Sequence, residues 1–138
     1  QSIDSIRVAE LINREAFQEN KVIEGLIQIN IGNEPQKQGI AAEQVYEFYD
    51  KLLEFHNIKI TGIMCIAPEL DIQQKEQKEN KEKLRTFFKK MKELQEDLNL
   101  TECSMGMSND YHIAVEEGST MIRLGRVIFG ERRKEHEM

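Results

Sequence analysis

The order of hydrophobic patterns constrains the fold most, because strand-type and helix-type segments alternate along the chain. β-Branched runs predict strands, and apolar residues spaced three and four apart predict helices. Helices between successive strands return the chain to the same edge of a sheet, so the strands run parallel. The predicted strands lie at 3–6, 22–31, 58–66, 103–106 and 120–124, and the predicted helices at 7–20, 41–55, 84–98 and 110–117. The sequence therefore predicts a parallel α/β fold of about five βα units.

Composition and charge exclude several classes of function. The net charge is −6, and the cationic residues form no basic face interleaved with aromatic residues, so we expect no nucleic-acid partner. No apolar run approaches the roughly 18 residues of a membrane span, so we expect no membrane partner. Cys65 and Cys103 lie in predicted strands without C-x-x-C spacing, which favours reduced thiols in a cytoplasmic protein. His56, His112 and His136 are scattered, and we predict neither a metal site nor a catalytic histidine.

Two loops near the carboxyl end have the composition of an anion site. Gly106, Met107 and Ser108 follow one predicted strand, and Gly125 and Arg126 follow the next. Backbone amides, a hydroxyl and a helix start can converge on one phosphate where two such strand ends lie side by side. Glycine at 106 and 125 would let the phosphate approach the amides closely. Ser108 could also cap the following helix together with Asn109 and Asp110. The alternative is that these segments are ordinary turns.

Four further positions are predicted to face the interior of the sheet. Arg123 lies two residues before Gly125, so both residues lie on the same side of the strand. A guanidinium that is buried on this side needs a hydrogen-bond acceptor. Its alternative place is a sheet edge, with the charge in solvent. In the second strand, Leu26, Gln28 and Asn30 face inward and the isoleucines at odd positions face the helices. Asn30 either reaches a pocket at the strand end or bonds its own loop.

Five sequence runs carry a resemblance to a known family. They are Q-I-N-I-G-N-E-P-Q-K-Q-G-I (28–40), I-T-G-I-M-C-I-A-P (60–68), S-M-G-M-S-N-D (104–110), G-S-T-M-I-R-L-G (118–125) and I-F-G-E-R (128–132). In this order they resemble the pyridoxal phosphate homeostasis proteins, which are single-domain relatives of the alanine racemase N-terminal barrel. The resemblance extends over essentially the whole chain and corresponds to roughly the last three-fifths of a typical family member.

The resemblance implies an incomplete (β/α)₈ barrel of the TIM type. Residues 1–138 would form the C-terminal part of one barrel domain, with the first βα units missing. Those units carry the family's lysine that forms an imine with the cofactor, so no catalytic residue is expected here. Five strands do not close an eight-stranded barrel, and we expect open sheet edges that aggregate or recruit a partner.

The resemblance also assigns roles at the predicted phosphate cup. It implies that Ser108 and the amides of Gly125 and Arg126 bind the phosphate of pyridoxal 5'-phosphate, while Arg123 faces the ring nitrogen. Gly106 and Met107 form the first turn of the cup. Many relatives carry serine or threonine where Arg126 stands, so the role of this side chain is open.

Three residues upstream of the cup are further candidates. Asn30 and Met64 would line the cofactor pocket, and Lys37 matches a family lysine near its mouth, as an accessory residue. A solvated loop lysine is the alternative for Lys37. Met64, and also Ile66 in place of a racemase histidine, would contact the ring by dispersion or fill a plain barrel core.

The function implied is binding, buffering or delivery of pyridoxal 5'-phosphate without turnover. An arginine at the ring nitrogen discourages its protonation, and no second domain with the racemase tyrosine is expected after Met138. The alternative is an amino-acid racemase-type enzyme. The expected partners are the cofactor and, transiently, enzymes that depend on it, and the full-length protein is expected to be a monomer.

Overall fold

The computed structural model describes residues 2–35, 37–68, 70, 78–107 and 109–122. Within these ranges, parallel strands and helices alternate as the sequence predicts. The strands are β1 (Ser2–Ile3), β2 (Ile23–Asn30), β3 (Ile40–Ala41), β4 (Ile58–Met64) and β5 (Glu102–Ser104). The helices are α1 (Ile6–Gln18), α2 (Val45–Leu52), α3 (Lys78–Asp97) and α4 (Tyr111–Glu116), and a short 3₁₀ helix, Ala42–Gln44, precedes α2.

Most element boundaries shift by a few residues from the sequence prediction, and three elements differ more. The two-residue strand β3 was not predicted, because two residues carry too little pattern to be recognised. Helix α3 begins at Lys78, so the charged run 78–83 is the solvated start of this helix. The predicted last strand appears as a parallel bridge between Met121 and Ser104, and its continuation from Arg123 lies outside the described residues.

The sheet order is β1-β2-β4-β5, with every neighbouring pair parallel. β3 pairs with the carboxyl end of β2, beyond the β2 residues that pair with β1 and β4. One register row joins Ile3, Ile27, Ile63 and Cys103, and all four side chains have no exposed surface. This face packs against the helices and forms the core.

Helix α3 shows why the helices cover this face of the sheet. Its buried residues recur at helical spacing, so one side packs on the strands while the rest stays in water. They are Leu84, Phe88, Met91, Leu94 and Gln95. Helix α1 begins after Ser5, whose hydroxyl accepts a hydrogen bond from the Val8 amide at 3.1 Å.

A bulge in β4 reverses which residues face the helices. Gly25 pairs with Ile60 and Leu26 with Gly62, so Thr61 is an extra residue without a partner in β2. Before the bulge Ile58 belongs to the core, and after it Ile63 does. Gly62, Met64 and Ile66 therefore share the opposite, inward face, as predicted.

Gly62 also has to be glycine for steric reasons. A Cβ there would lie 2.2 Å from the Glu102 carbonyl oxygen on the neighbouring strand. Among the described residues, no helix is both long enough and apolar enough to cross a membrane.

Candidate functional site

The carboxyl ends of the parallel strands meet at one edge of the sheet, which we call the carboxyl edge. β2 ends there at Asn30, β4 at Met64 and β5 at Ser104, and Met121 lies beside Ser104. In barrels and open α/β sheets this edge is where ligands bind, because the loops that follow the strands converge on it. The predicted site residues that the structure describes belong to these strand ends or to the loops that follow them, and they are Asn30, Lys37, Met64, Gly106 and Met107.

Asn30 organises the loop after β2. Its side-chain nitrogen donates to the backbone oxygens of Glu34 at 2.7 Å and Lys37 at 3.3 Å, and its Oδ1 accepts from the Glu34 amide at 3.1 Å. The loop returns so closely that a Cβ on Gly39 would lie 2.7 Å from the Asn30 amide nitrogen. Of the two alternatives for this side chain, bonding its own loop is the one the structure shows. A contact with the cofactor stays a prediction.

Lys37 joins the loops that follow β2 and β4. Its ammonium lies 3.3 Å from Glu34 Oε1 and donates to the Ala67 carbonyl at 3.4 Å. A third of its side chain is exposed. The charge of Lys37 is therefore paired with Glu34 and reaches the loop after β4, while a role of Lys37 toward the cofactor stays a prediction.

A cavity of about 260 Å³ opens at this mouth. The structure brings Asn30 and Lys37 together on its wall. Gln38 and Ile29 were not predicted to line it, and the only signal for Gln38 was its position beside Gly39 in a loop rich in turn residues. The lining residues are Gln28, Ile29, Asn30, Lys37, Gln38 and Ile66.

Met64 lies on the inward face of β4, between Gln28 of β2 and Ser104 of β5. Only 3% of its surface is exposed, although it stands outside the core cluster on the helix side. Ile66, two residues further on, lies on the cavity wall and is 41% exposed. Ile66 therefore gives the carboxyl edge an apolar surface of the kind that a flat ring can contact, whereas Met64 is almost fully covered and does not line the cavity.

Gly106 is required for a different reason from the one predicted. Its φ of +103° lies in a region that side chains disfavour, and a Cβ would lie 2.8 Å from the Ala114 Cβ and 3.2 Å from Ile122 Cγ2. The close approach that glycine permits is therefore the packing of α4 against the end of β5. A second role toward a phosphate stays a prediction.

The turn between β5 and α4 is closed by Asp110. The Met107 amide donates to Asp110 Oδ1 at 2.7 Å, and the Met107 carbonyl accepts from the amides of Asp110 and Tyr111. Two expectations are corrected here. The Met107 amide is not free for a phosphate, and Asp110 bonds the residues before it instead of capping α4. Burial raises the pKa of the Asp110 carboxyl, and the Met107 hydrogen bond opposes this shift.

Two hydroxyl groups that the sequence analysis did not single out tie β5 to the next strand. Ser119 Oγ lies 2.7 Å from the Met105 carbonyl and 2.8 Å from the Met121 carbonyl. Thr120 Oγ1 accepts from the Cys103 amide at 2.7 Å. Their signal in the sequence was the Gly-Ser-Thr triplet directly before a predicted strand.

The other predicted site residues are Ser108, Arg123, Gly125 and Arg126, and all four lie outside the described residues. Their contacts with phosphate and ring nitrogen stay predictions. In the described part of the chain, no three histidine, cysteine or carboxylate side chains converge as a metal site would require.

Comparison with known proteins identifies the family. A profile of the family described as "Alanine racemase, N-terminal domain" matches residues 1–133, so the chain belongs to this family. Within it, the relatives are pyridoxal phosphate homeostasis proteins, as the sequence runs indicate. The protein of that name from Aquifex aeolicus is 38% identical over 138 residues, which are 96% of this chain and 57% of that protein. The one from Synechocystis is 36% identical, over 95% of this chain and 59% of that protein.

Solved structures agree with this assignment. PipY from Synechococcus elongatus, solved with PLP bound, superposes with a TM-score of 0.75 at 27% identity, over 93% of this chain and 58% of that protein. Alanine racemase from Clostridium difficile superposes with a TM-score of 0.71 at 18% identity, over 97% of this chain and 35% of that one, which shows a shared fold. The chain thus spans less than three-fifths of the length of these relatives.

Proposed function

We propose that this chain forms the cofactor-holding part of a pyridoxal 5'-phosphate-binding protein of cofactor homeostasis, which binds, buffers or delivers the cofactor without turnover. The proposal rests on one combination of features at the carboxyl edge. The carboxyl edge combines an apolar surface, a cavity with a paired lysine at its mouth and a rigid turn after β5, in a chain 38% identical to a pyridoxal phosphate homeostasis protein. PipY, which superposes on the chain, was solved with PLP bound.

The residues of the carboxyl edge suit the chemistry of this cofactor. Ile66 offers dispersion contacts to a heteroaromatic ring, and the ammonium of Lys37 favours a dianionic ester nearby. Asn30 keeps the loop that carries Lys37 in place. The cofactor itself supplies a reactive aldehyde, and the protein supplies binding, orientation and electrostatics.

We assign the binding of the cofactor's phosphate and of its ring nitrogen to residues near the carboxyl end of the chain. Ser108 and the amides of Gly125 and Arg126 bind the phosphate, and Arg123 faces the ring nitrogen. Gly106 and Met107 shape the turn that precedes Ser108. The Met107 amide is already paired with Asp110, so Met107 contributes its position in the turn and not a hydrogen bond.

The absence of turnover rests on Arg123. A guanidinium beside the ring nitrogen keeps that nitrogen unprotonated, which makes the ring a poor sink for electrons from a substrate. A racemase-type enzyme is the second candidate, favoured by the fold shared with alanine racemase. Amino-acid racemisation by the full-length protein, which carries the imine-forming lysine, separates the two.

The finer architecture and setting belong to the same proposal. The chain supplies about five βα units of a (β/α)₈ barrel, and the half-buried inward side chains of Leu26 and Gln28 suit a sheet that further units would cover. Cys65 and Cys103 are buried and are not disulfide-bonded in the described part of the chain, which favours a reducing compartment such as the cytoplasm. We expect a monomer at full length that meets cofactor-dependent enzymes transiently.

The test is a titration of the chain with pyridoxal 5'-phosphate. Binding is measured by calorimetry, and inorganic phosphate is then added as a competitor. We expect saturable binding that phosphate displaces, no imine absorbance band sensitive to borohydride, and no racemisation of amino acids. Arg123→Met should weaken cofactor binding, whereas Lys51→Met, which removes an exposed cation of α2, should not. No saturable binding would refute the proposed function, and racemisation above background by the full-length protein would favour the enzyme.

A further inference from the structure

Gln28 is a polar residue on the inward face of β2, where it lines the cavity at the carboxyl edge. Its neighbours along the strand, Ile27 and Ile29, are buried in the core on the helix side, so the Gln28 side chain has the opposite direction. On β4 it pairs in register with Met64. The carboxamide of Gln28 is therefore presented to the space that the cavity occupies.

The amide of Gln28 is open to a ligand, whereas the polar groups beside it are already in use. Asn30 uses both ends of its amide to bind the loop that follows β2. Lys37 is paired with Glu34 and donates to the Ala67 carbonyl. The Gln28 side chain is half-buried, and within the described residues, which include the strands on both sides of it, its amide forms no hydrogen bond. A glutamine amide carries two donor hydrogens and an acceptor oxygen, so a ligand in the cavity can bind it.

The position of Gln28 in the sheet indicates which part of a ligand it would meet. Because β4 and β5 lie between β2 and the strand at Met121, three strand spacings of about 4.8 Å separate the two. A phosphate held by the loops after β5 and after the next strand would thus lie at the far end of the carboxyl edge from Gln28. The ring would extend toward β2, where Ile66 offers an apolar surface on the same cavity wall as Gln28.

The chemistry of pyridoxal 5'-phosphate indicates the atom that Gln28 would bind. On the ring, the phenolic hydroxyl and the arm that carries the phosphate stand on opposite sides of the aldehyde, so the phenolic oxygen points away from the phosphate. The phosphate is assigned to the loops and the ring nitrogen to Arg123, and the phenolic oxygen has no assigned partner. A hydrogen bond donated to the ionised oxygen favours this charged form. The ammonium of Lys37 on the same wall acts in the same direction.

We propose that Gln28 is a specificity-determining residue of this site, whose carboxamide donates a hydrogen bond to the ionised phenolic oxygen of a pyridoxal-type ring. The inference rests on the proposed function, because it concerns how the same site recognises the ring of its ligand. It adds a polar contact at the β2 end of the carboxyl edge, opposite the loops that are assigned to the phosphate.

The experiment compares the unsubstituted chain with Gln28→Met, which keeps the length of the side chain and removes the amide. Each is titrated with pyridoxal 5'-phosphate, with the analogue that lacks the phenolic hydroxyl, and with inorganic phosphate. Loss of one hydrogen bond should weaken binding of pyridoxal 5'-phosphate by about threefold to tenfold. The affinities for the analogue and for inorganic phosphate should not change. General damage to the site would weaken both ring-containing ligands, so the comparison separates recognition of the oxygen from a change of shape.

Two further variants sharpen the test. Gln28→Glu places a carboxylate beside the ionised oxygen and removes the donor, so it should weaken binding of pyridoxal 5'-phosphate more than Gln28→Met does. Gln18→Met removes an exposed glutamine of α1 and should leave all three affinities unchanged. Urea unfolding without ligand should show no loss of stability for Gln28→Met, because its amide binds no group in the described part of the chain.

Each remaining outcome overturns the inference. Unchanged affinity of Gln28→Met for pyridoxal 5'-phosphate would refute the contact, and an equal loss for the analogue would show that Gln28 acts only through the shape of the cavity. A loss for inorganic phosphate would place the amide on the anion instead. Binding by Gln28→Glu as tight as that of the unsubstituted chain would refute the donor role, and lower stability of Gln28→Met without ligand would assign its amide a structural role. If the unsubstituted chain binds none of the probes, the proposed function fails and this inference fails with it.

Discussion

Replacing Gly106 with alanine tests whether the packing of α4 on the end of β5 fixes the turn that leads into the predicted phosphate cup. The backbone at Gly106 has φ of +103°, and a positive φ costs a residue with a side chain about 1–2 kcal/mol. The new Cβ would also lie 2.8 Å from the Ala114 Cβ, which is buried and cannot rotate away. Overpacking of this kind costs about 1–3 kcal/mol. The two costs together predict a loss of roughly 2–5 kcal/mol in the free energy of unfolding.

Gly118→Ala is the matched control, because its φ of +101° is nearly the same. The atoms closest to its new Cβ are Cδ and Cε of Lys92 at 3.0 Å, in a flexible side chain that can move. This variant should therefore lose only the backbone cost, about 1–2 kcal/mol. Urea unfolding with linear extrapolation gives both values. If the two variants lose the same free energy within about 0.5 kcal/mol, which is near the error of such extrapolations, the packing contribution at Gly106 is refuted.

Three further changes test individual contacts. Asn30→Asp removes the donor to two loop carbonyls and should cost about 1–3 kcal/mol in urea unfolding; an unchanged midpoint would show that the loop does not depend on it. Arg85→Met removes ion pairs of 2.7 and 3.1 Å to the end of α4 and should cost about 0.5–1 kcal/mol at low salt, with a smaller loss in 1 M NaCl. The pKa of the Asp110 carboxyl is raised in the folded chain, so the folded chain binds this proton more tightly than the unfolded chain does. The protonated group therefore stabilises the fold at low pH. This contribution is lost as the pH rises above 3.8, the ordinary pKa of the carboxyl. Asp110→Asn should therefore gain stability relative to the unsubstituted chain as pH is raised from 3 to 7, and a relative loss over that range would contradict the assigned shift.

The sequence predicted the parallel α/β fold because the hydrophobic patterns of β2, β4 and α3 are long enough to specify their type. It also placed Asn30 and Lys37 at the same strand end, because Asn30 ends this strand and Lys37 lies in the loop that follows it. The bulge at Thr61 was not predictable, because an extra residue in a strand depends on the partner strand and not on local pattern.

The details of the site could not be predicted from the sequence, for a related reason. The sequence left two alternatives for Asn30, since either use of the amide fits a strand end. It also counted the Met107 amide as free, because the hydrogen bond from this amide to Asp110 depends on the shape of the turn.

The most direct test of the central claim is the site of cofactor binding on the chain itself. We would titrate the ¹⁵N-labelled chain with pyridoxal 5'-phosphate and follow the backbone amide resonances. The account predicts that the largest shifts fall at Gly106, Met107 and residues 119–126, at the carboxyl edge of the sheet. Shifts concentrated at the opposite edge, near Val22, Asn57 and Thr101, or no saturable shifts at all, would contradict it.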